Sequence, residues 1–125
     1  MELIIGGAFQ GKLDYAKSVY GLKEEDICDC AKEPLDFSKR CICHLEMLAW
    51  NCLREGKEPK TFFAEHREQW KDSVLICNDI SAGVVPMDAE VRAWREAVGR
   101  LLNDLAPQAN TVTRMFCGLP QRLKG

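Results

Sequence analysis

The stretch Leu3-Ile4-Ile5-Gly6-Gly7-Ala8-Phe9-Gln10-Gly11-Lys12-Leu13 decides the fold of this chain. An apolar run ends in a glycine pair, and Gly11 and Lys12 follow just before a pattern of helical spacing begins. Gly6, Gly11 and Lys12 have the separation of the phosphate-binding pattern G-x-x-x-x-G-K-[ST]. Glycines let successive backbone N–H groups point at an anion, and the next helix adds its positive dipole end. The stretch predicts a strand, a phosphate-binding turn and a helix; an ordinary strand–turn–helix is the alternative.

One position departs from this pattern. Leu13 stands where a Ser or Thr hydroxyl normally ligates magnesium, and its side chain has no oxygen. Lys12 is expected to contact the outer phosphates of ATP or GTP and to act in catalysis. The residues expected to surround the nucleotide are Gly6, Gly7, Ala8, Phe9, Gln10, Gly11, Lys12, Leu13 and, from a later strand, Asn78.

Length and composition narrow the class of protein. The chain has 125 residues, of which 46% are hydrophobic and 29% charged, as in an ordinary soluble domain. We expect one nucleotide-binding domain spanning residues 1–125. The net charge of −2 argues against nucleic acid as a partner. No apolar run suits a membrane span, and residues 1–5 do not resemble a signal peptide, so a cytoplasmic location is expected.

Predicted strands alternate with predicted helices along the chain. The predicted strands are Glu2–Ile5, Asp26–Cys28, Ser73–Asn78 and Val112–Cys117, the last followed by a basic tail. The predicted helices are Lys12–Tyr20, Ile42–Gly56, one opening at Pro59, and one from the N-cap Asp88 to Pro107. Such alternation predicts an α/β fold, a three-layer P-loop NTPase-like domain with a small, mainly parallel sheet.

Ligands of parallel sheets bind beyond the carboxyl ends of the strands. Three segments leave such ends, and we expect them to meet in one crevice: Gly6–Lys12, Asn78–Pro86 and the residues from Gly118 onward. Asp79 follows an apolar strand, so it is expected to hold Mg²⁺ or to act as a base toward a hydroxyl. A turn aspartate that caps the loop is the alternative for Asp79.

Four parts of the sequence resemble the adenosylcobinamide kinase / adenosylcobinamide-phosphate guanylyltransferase family. Residues 6–12 resemble its G-G-A-R-S-G-K-S loop, and residues 74–86 resemble its strand and T-N-E-V-G-x-G-I-V-P loop. Residues 95–100 and 112–124 resemble its R-D-x-x-G-R helix and its closing strand. The resemblance covers roughly the first 20 and the last 50 residues. It implies a nucleoside triphosphate and adenosylcobinamide as ligands, a role in cobalamin biosynthesis or salvage, and a homo-oligomer.

Several family features are missing from this chain. Leu13 replaces the serine of the loop, Phe9-Gln10 replaces its Arg-Ser pair, and no segment resembles the family's basic R-I-x-x-H-R-x-x-R-P stretch with its guanylylated histidine. These departures predict a shortened, divergent member. They count against the guanylyltransferase step and leave the kinase step open. A degenerate module that binds a nucleotide or corrinoid without turnover is the first alternative.

Seven cysteines support a second alternative, a metal or redox protein. Cys28-Asp29-Cys30 and Cys41-Ile42-Cys43-His44 together offer thiolates and an imidazole, the donors that zinc prefers. The C-x-C spacing differs from the usual zinc knuckle, and buried thiols that act as small hydrophobes are the simpler expectation. We expect His44 to be a hydrogen-bonded core histidine and His66 to be solvated.

Overall fold

A six-stranded sheet forms the centre of the computed structural model, which describes residues 1–80 and 88–125. The strand order is β2-β3-β4-β1-β5-β6; the first five strands run parallel, and β6 is antiparallel to β5. The strands are β1 (Glu2–Gly6), β2 (Ile27–Asp29), β3 (Cys41–Cys43), β4 (Val74–Asn78), β5 (Thr111–Phe116) and β6 (Leu119–Lys124). The helices are α1 (Lys12–Tyr20), a 3₁₀ turn (Glu24–Asp26), α2 (Leu45–Arg54), α3 (Pro59–Glu65), α4 (Arg67–Trp70) and α5 (Ala89–Gln108).

Helices cover both faces of the sheet, which confirms the predicted three-layer α/β fold. Side chains alternate along each strand, so neighbours such as Leu3 and Ile4 enter different clusters. Ile4 packs with Ala16 of α1 on one face. Leu3 packs on the other face with side chains of α2, α3 and α5. Among the described residues, none of the helices combines the length and the apolar character that crossing a bilayer requires.

Both predicted ends of α1 and the predicted start of α5 are confirmed. Gly11 and Gly21 bound α1 with φ angles of 83° and 63°, a left-handed conformation that glycine adopts without steric cost. The Asp88 carboxylate accepts the N–H groups of Glu90 (2.8 Å) and Val91 (3.2 Å) and so caps α5.

Two strands were not predicted, and two predicted helix ends, the start of α2 and the end of α5, were wrong. Cys41-Ile42-Cys43 is strand β3 and not the start of α2, because His44 breaks the chain direction with φ 58°. The predicted basic tail is strand β6, whose six residues are all exposed and show no alternation in burial. Helix α5 passes Pro107 and ends at Gln108, because a proline so close to a helix end removes only one hydrogen bond.

Candidate functional site

The glycine-flanked loop after β1 curls around the N-terminus of α1. Gly6 ends the strand with φ 154°, where the backbone oxygen of Met115 comes so near that no side chain fits. Gly11 starts the helix, and its carbonyl accepts the N–H of Tyr15 at 3.0 Å. A cavity of about 280 Å³ opens in front of this turn. Its walls are formed by Ala8, Phe9, Gln10, Gly11, Lys12, Leu13, Asp14, Cys43, His44, Ile76 and Asn78.

Lys12 is buried beside the loop that it follows. Its Nζ donates a 2.5 Å hydrogen bond to the backbone oxygen of Gly7. Burial lowers the pKa of Lys12, and the negative charge of Glu46 opposes that shift. The cation is therefore held at the wall of the cavity by a neutral carbonyl, a partner that an anionic ligand can replace.

Glu46 is a buried acid of this site that the sequence analysis did not identify. It lies in the first turn of α2, and its Oε1 accepts the backbone N–H of Asn78 at 3.0 Å. Its backbone oxygen accepts the indole N–H of Trp94 at 2.6 Å. The bond to Asn78 joins α2 to the carboxyl end of β4, directly beside Gly6 in register. The sequence did contain a signal for a buried acid at this position. Glu46 is a charged residue within an apolar stretch of the helix that includes Leu45, Leu48 and Ala49.

Asp79 does not share the cavity with Lys12. Its backbone N–H donates to the Gly6 oxygen at 2.8 Å, which holds the two loop ends together. The residue itself is exposed and borders a different depression, formed by β1, α5 and β6. The sequence grouped Asp79 with Lys12, whereas the structure places Asn78, one residue earlier, at the cavity wall.

The remaining loop residues point in different directions. Phe9 is fully exposed at the tip of the turn, in a left-handed conformation with φ 61°. Leu13 is half-buried and packs against the cluster beneath α1. The Gln10 side chain accepts the backbone N–H of Cys117, so the turn between β5 and β6 meets the loop as expected. The third expected segment, Asn78–Pro86, falls from residue 81 onward outside the described residues.

The four cysteines proposed as a metal set do not converge. Cys28 and Cys30 lie in the cluster that faces α2, whereas Cys41 and Cys43 lie in the cluster that faces α1. Burial raises the pKa of the Cys41 thiol to about 12 and also raises that of Cys43, so both are neutral at pH 7. All seven cysteines are free.

The hydrogen bond expected of His44 is present, but neither histidine has the burial expected of it. His44 is partly exposed at the cavity wall, and its Nδ1 lies 2.7 Å from the Oδ1 of Asp29. His66 is half-buried and not simply solvated, because its ring stacks on Phe37 and Phe62, with centroid distances of 5.7 and 4.3 Å. Its Nδ1 lies 2.7 Å from the backbone oxygen of Phe62.

Comparison with known proteins gives one finding on family. The family model described as cobinamide kinase / cobinamide phosphate guanyltransferase matches residues 39–123. This part of the chain runs from β3 to β6 and contains Glu46 and Asn78. The loop Gly6–Lys12 precedes the matched part. A search of curated proteins found no match.

Proposed function

This chain belongs to the cobinamide kinase / cobinamide phosphate guanyltransferase family, and on that premise we propose a function for it in cobalamin biosynthesis. The chain binds a nucleoside triphosphate at the loop Gly6–Lys12 and transfers its terminal phosphoryl group to a cobinamide. The observation that carries the proposal is the buried Lys12 ammonium, held on the Gly7 oxygen at the wall of the 280 Å³ cavity.

The local electrostatics favour a polyphosphate. The N-terminus of α1 carries a partial positive charge of roughly half an elementary charge. Lys12 adds a full charge in a partly desolvated position, where its attraction to an anion is stronger than in water. Incoming phosphate oxygens would take the place of the Gly7 carbonyl as partner of Nζ. Glu46 holds Asn78 in position beneath the same cavity.

Transfer of the phosphoryl group depends mainly on positioning and charge stabilisation. Lys12 is suited to both roles, since its ammonium can follow the outer phosphates as negative charge moves toward the bridging oxygen. The acceptor hydroxyl of cobinamide would enter the same cavity, whose wall includes Asn78 and His44.

The complete phosphate-binding motif provides a Ser or Thr oxygen for magnesium, and the described residues around this loop provide no such ligand. Leu13 offers no oxygen and packs against the cluster beneath α1, and Asp79 borders another depression. We propose the kinase step without the guanylyl transfer, because no segment of the sequence resembles the family's stretch with the guanylylated histidine. Leu13 also favours a second candidate, a module that binds nucleotide or corrinoid without turnover.

Calorimetric titration with ATP and with GTP, with and without Mg²⁺, tests the binding site. Lys12→Ala removes a charge-assisted contact of about 1.5–3 kcal/mol, which corresponds to a loss of affinity of about 10- to 150-fold. The matched control is Lys17→Ala, an α1 lysine that pairs with Glu24 on the surface. Equal affinity of wild type and Lys12→Ala would remove the phosphate-loop assignment.

Incubation of the wild-type protein with ATP or GTP and adenosylcobinamide separates the two candidate functions. The kinase predicts a phosphorylated corrinoid and the matching nucleoside diphosphate, both detectable by mass spectrometry. Tight nucleotide binding without product favours the module that binds without turnover.

A further inference from the structure

We propose that Asp29, Cys43 and His44 form a binding site for a divalent cation of the zinc class, with an open coordination position toward the cavity of Lys12. This site goes beyond the phosphotransfer function and does not depend on it. Among residues 1–80 and 88–125, these three form the one group of His, Cys, Asp and Glu donors in which three or more ligand atoms lie within 4.8 Å of one another.

The backbone brings the three side chains together. Asp29 and Cys43 end the parallel strands β2 and β3 and are partners in register, so both side chains lie on the same face of the sheet. His44 follows with φ 58° and ψ 49°, a left-handed conformation that a residue with a Cβ seldom adopts. This bend turns the imidazole back toward Asp29 instead of continuing the strand direction.

The donor atoms are close to the spacing that a tetrahedral cation needs. His44 Nδ1 lies 2.7 Å from Asp29 Oδ1 and 3.9 Å from Cys43 Sγ. Zinc bonds of about 2.0–2.3 Å place neighbouring ligand atoms roughly 3.3–3.7 Å apart. A cation would therefore widen the nitrogen–oxygen pair by about 0.6 Å and draw the sulfur slightly inward.

Charge and protons balance at this site. Binding of a divalent cation releases the thiol proton of Cys43 to solvent, and the imidazole keeps one proton, on Nε2, while Nδ1 becomes the ligand. The thiolate and the Asp29 carboxylate then neutralise the two positive charges of the cation. A neutral centre suits this position, because Cys43 is buried and the Asp29 side chain is only 20% exposed.

The present partners of Asp29 do not prevent a cation from binding: one can be displaced, and the other can stay. Lys32 lies 3.9 Å from Oδ2 and is 82% exposed, so its ammonium can turn into solvent. The backbone N–H of Ala31 donates to Oδ1 at 2.9 Å and can remain, because a carboxylate oxygen has two lone pairs. That N–H would hold the carboxylate in orientation, as outer-shell partners of metal ligands do.

The donor set selects the metal and suggests its role. Sulfur, imidazole nitrogen and carboxylate oxygen together suit zinc, whereas magnesium and calcium prefer oxygen alone. Three protein ligands leave the fourth coordination position open for water or substrate. This is the arrangement of catalytic zinc sites, whereas structural zinc sites have four protein ligands. Cys43 and His44 also line the cavity beside Lys12, so a phosphate oxygen in that cavity can complete the coordination.

Cobalt(II) titration of the reduced, metal-free full chain tests the site, because tetrahedral cobalt–thiolate centres absorb in the near ultraviolet and the visible. We expect one equivalent of Co²⁺ to give both bands and Zn²⁺ to abolish them. Cys43→Ser should remove the thiolate band, and Asp29→Asn should weaken binding about 10- to 100-fold. His44→Asn, which keeps a residue that tolerates the left-handed conformation, should weaken it at least as much.

Two variants serve as controls, and each outcome is decisive. Cys117→Ser removes the exposed thiol, and His66→Gln removes the other imidazole; both should leave the cobalt spectrum unchanged. Circular dichroism verifies folding, and His44→Asn keeps the test valid if Cys43→Ser does not fold. A spectrum without a thiolate band, or one that survives His44→Asn and Asp29→Asn, would overturn the proposal. Cobalt binding does not require nucleotide, so it can succeed even if Lys12→Ala leaves ATP affinity unchanged.

Discussion

Gly6→Ala tests how closely β1 and β5 approach each other where the phosphate loop begins. A Cβ on Gly6 would lie 2.6 Å from the backbone oxygen of Met115 and 3.4 Å from its nitrogen. Both atoms belong to the paired strand β5, so no flexible side chain can move aside and the strands have to separate. Forced overpacking costs about 1–3 kcal/mol, and backbone strain at φ 154° adds about 1–3 kcal/mol. We expect the variant to lose about 3 kcal/mol of unfolding free energy.

Gly21→Ala is the matched control for this loss. Gly21 also has a positive φ, 63°, but nothing lies within 4 Å of a Cβ added there. Only backbone strain remains, and we expect about 1 kcal/mol. The difference of about 2 kcal/mol contains the contact with Met115 and the additional backbone strain of φ 154° over φ 63°.

Urea denaturation of the wild type and both variants, followed by tryptophan fluorescence, measures the two losses. The midpoint concentration should fall further for Gly6→Ala, with an unchanged denaturant slope. Thermal denaturation should rank the variants in the same order, with the Tm falling by roughly 3–5 °C for each kcal/mol of lost stability. Equal midpoints for the two variants would show that β1 and β5 tolerate a methyl group between them, and the argument from close approach would be wrong.

Three further predictions concern the loop, a helix cap and a buried thiol. Leu13→Ser supplies the missing hydroxyl, so the variant should bind ATP more tightly in Mg²⁺ than in EDTA. Calorimetry measures both affinities, and a magnesium dependence equal to that of the wild type would contradict the prediction. Asp88→Ala removes two capping bonds and should cost about 1 kcal/mol in urea denaturation; no loss would contradict the cap. The Cys41 pKa is raised to about 12, so the unfolded thiol ionises first and stability should fall by up to about 1.4 kcal/mol per pH unit above pH 9. Cys41→Ala should make the fall of the urea midpoint between pH 8 and 10 shallower by the share of one thiol, because other buried cysteines also have raised pKa values. An unchanged slope would refute the prediction.

Local signals in the sequence predicted α1 and β4 well. Gly11 and Gly21 bound α1 because both ends of the helix take a left-handed backbone, which glycine adopts without steric cost. Val74–Asn78 is predicted as a strand buried on both faces because its first four residues form a continuous apolar run, and all four are buried in the structure. In both cases the residue types alone carry the structural information.

Two strands lacked such local signals. Cys41-Ile42-Cys43 is short and apolar, and helix α2, which is also rich in apolar residues, follows almost directly. The hydrophobic periodicity therefore does not distinguish the strand from the helix. Strand β6 is exposed on every residue, because its side chains follow the edge of the sheet and have no core to face. Its pairing with β5 is a tertiary interaction that the residue types of the tail do not indicate.

The candidate site divides in the same way. Residues 8–13 of the loop share one cavity wall because they are contiguous in the sequence, and glycine permits the positive φ angle of the turn at Gly11. Glu46 could not be placed, since its neighbour Asn78 lies 32 positions away along the chain. The approach of Asp29 to His44 likewise depends on the register of β2 with β3, which their three-residue lengths do not reveal.

The edge formed by β6 has a consequence for solubility. An unpaired strand edge offers hydrogen-bonding groups to any extended chain that drifts against it. Here Pro120 has no N–H to give, and the cations of Arg122 and Lys124 repel an identical strand laid alongside. Growth of the sheet from one molecule into the next is thereby discouraged at this end, while the opposite edge, β2, is too short to act as a template for long fibrils.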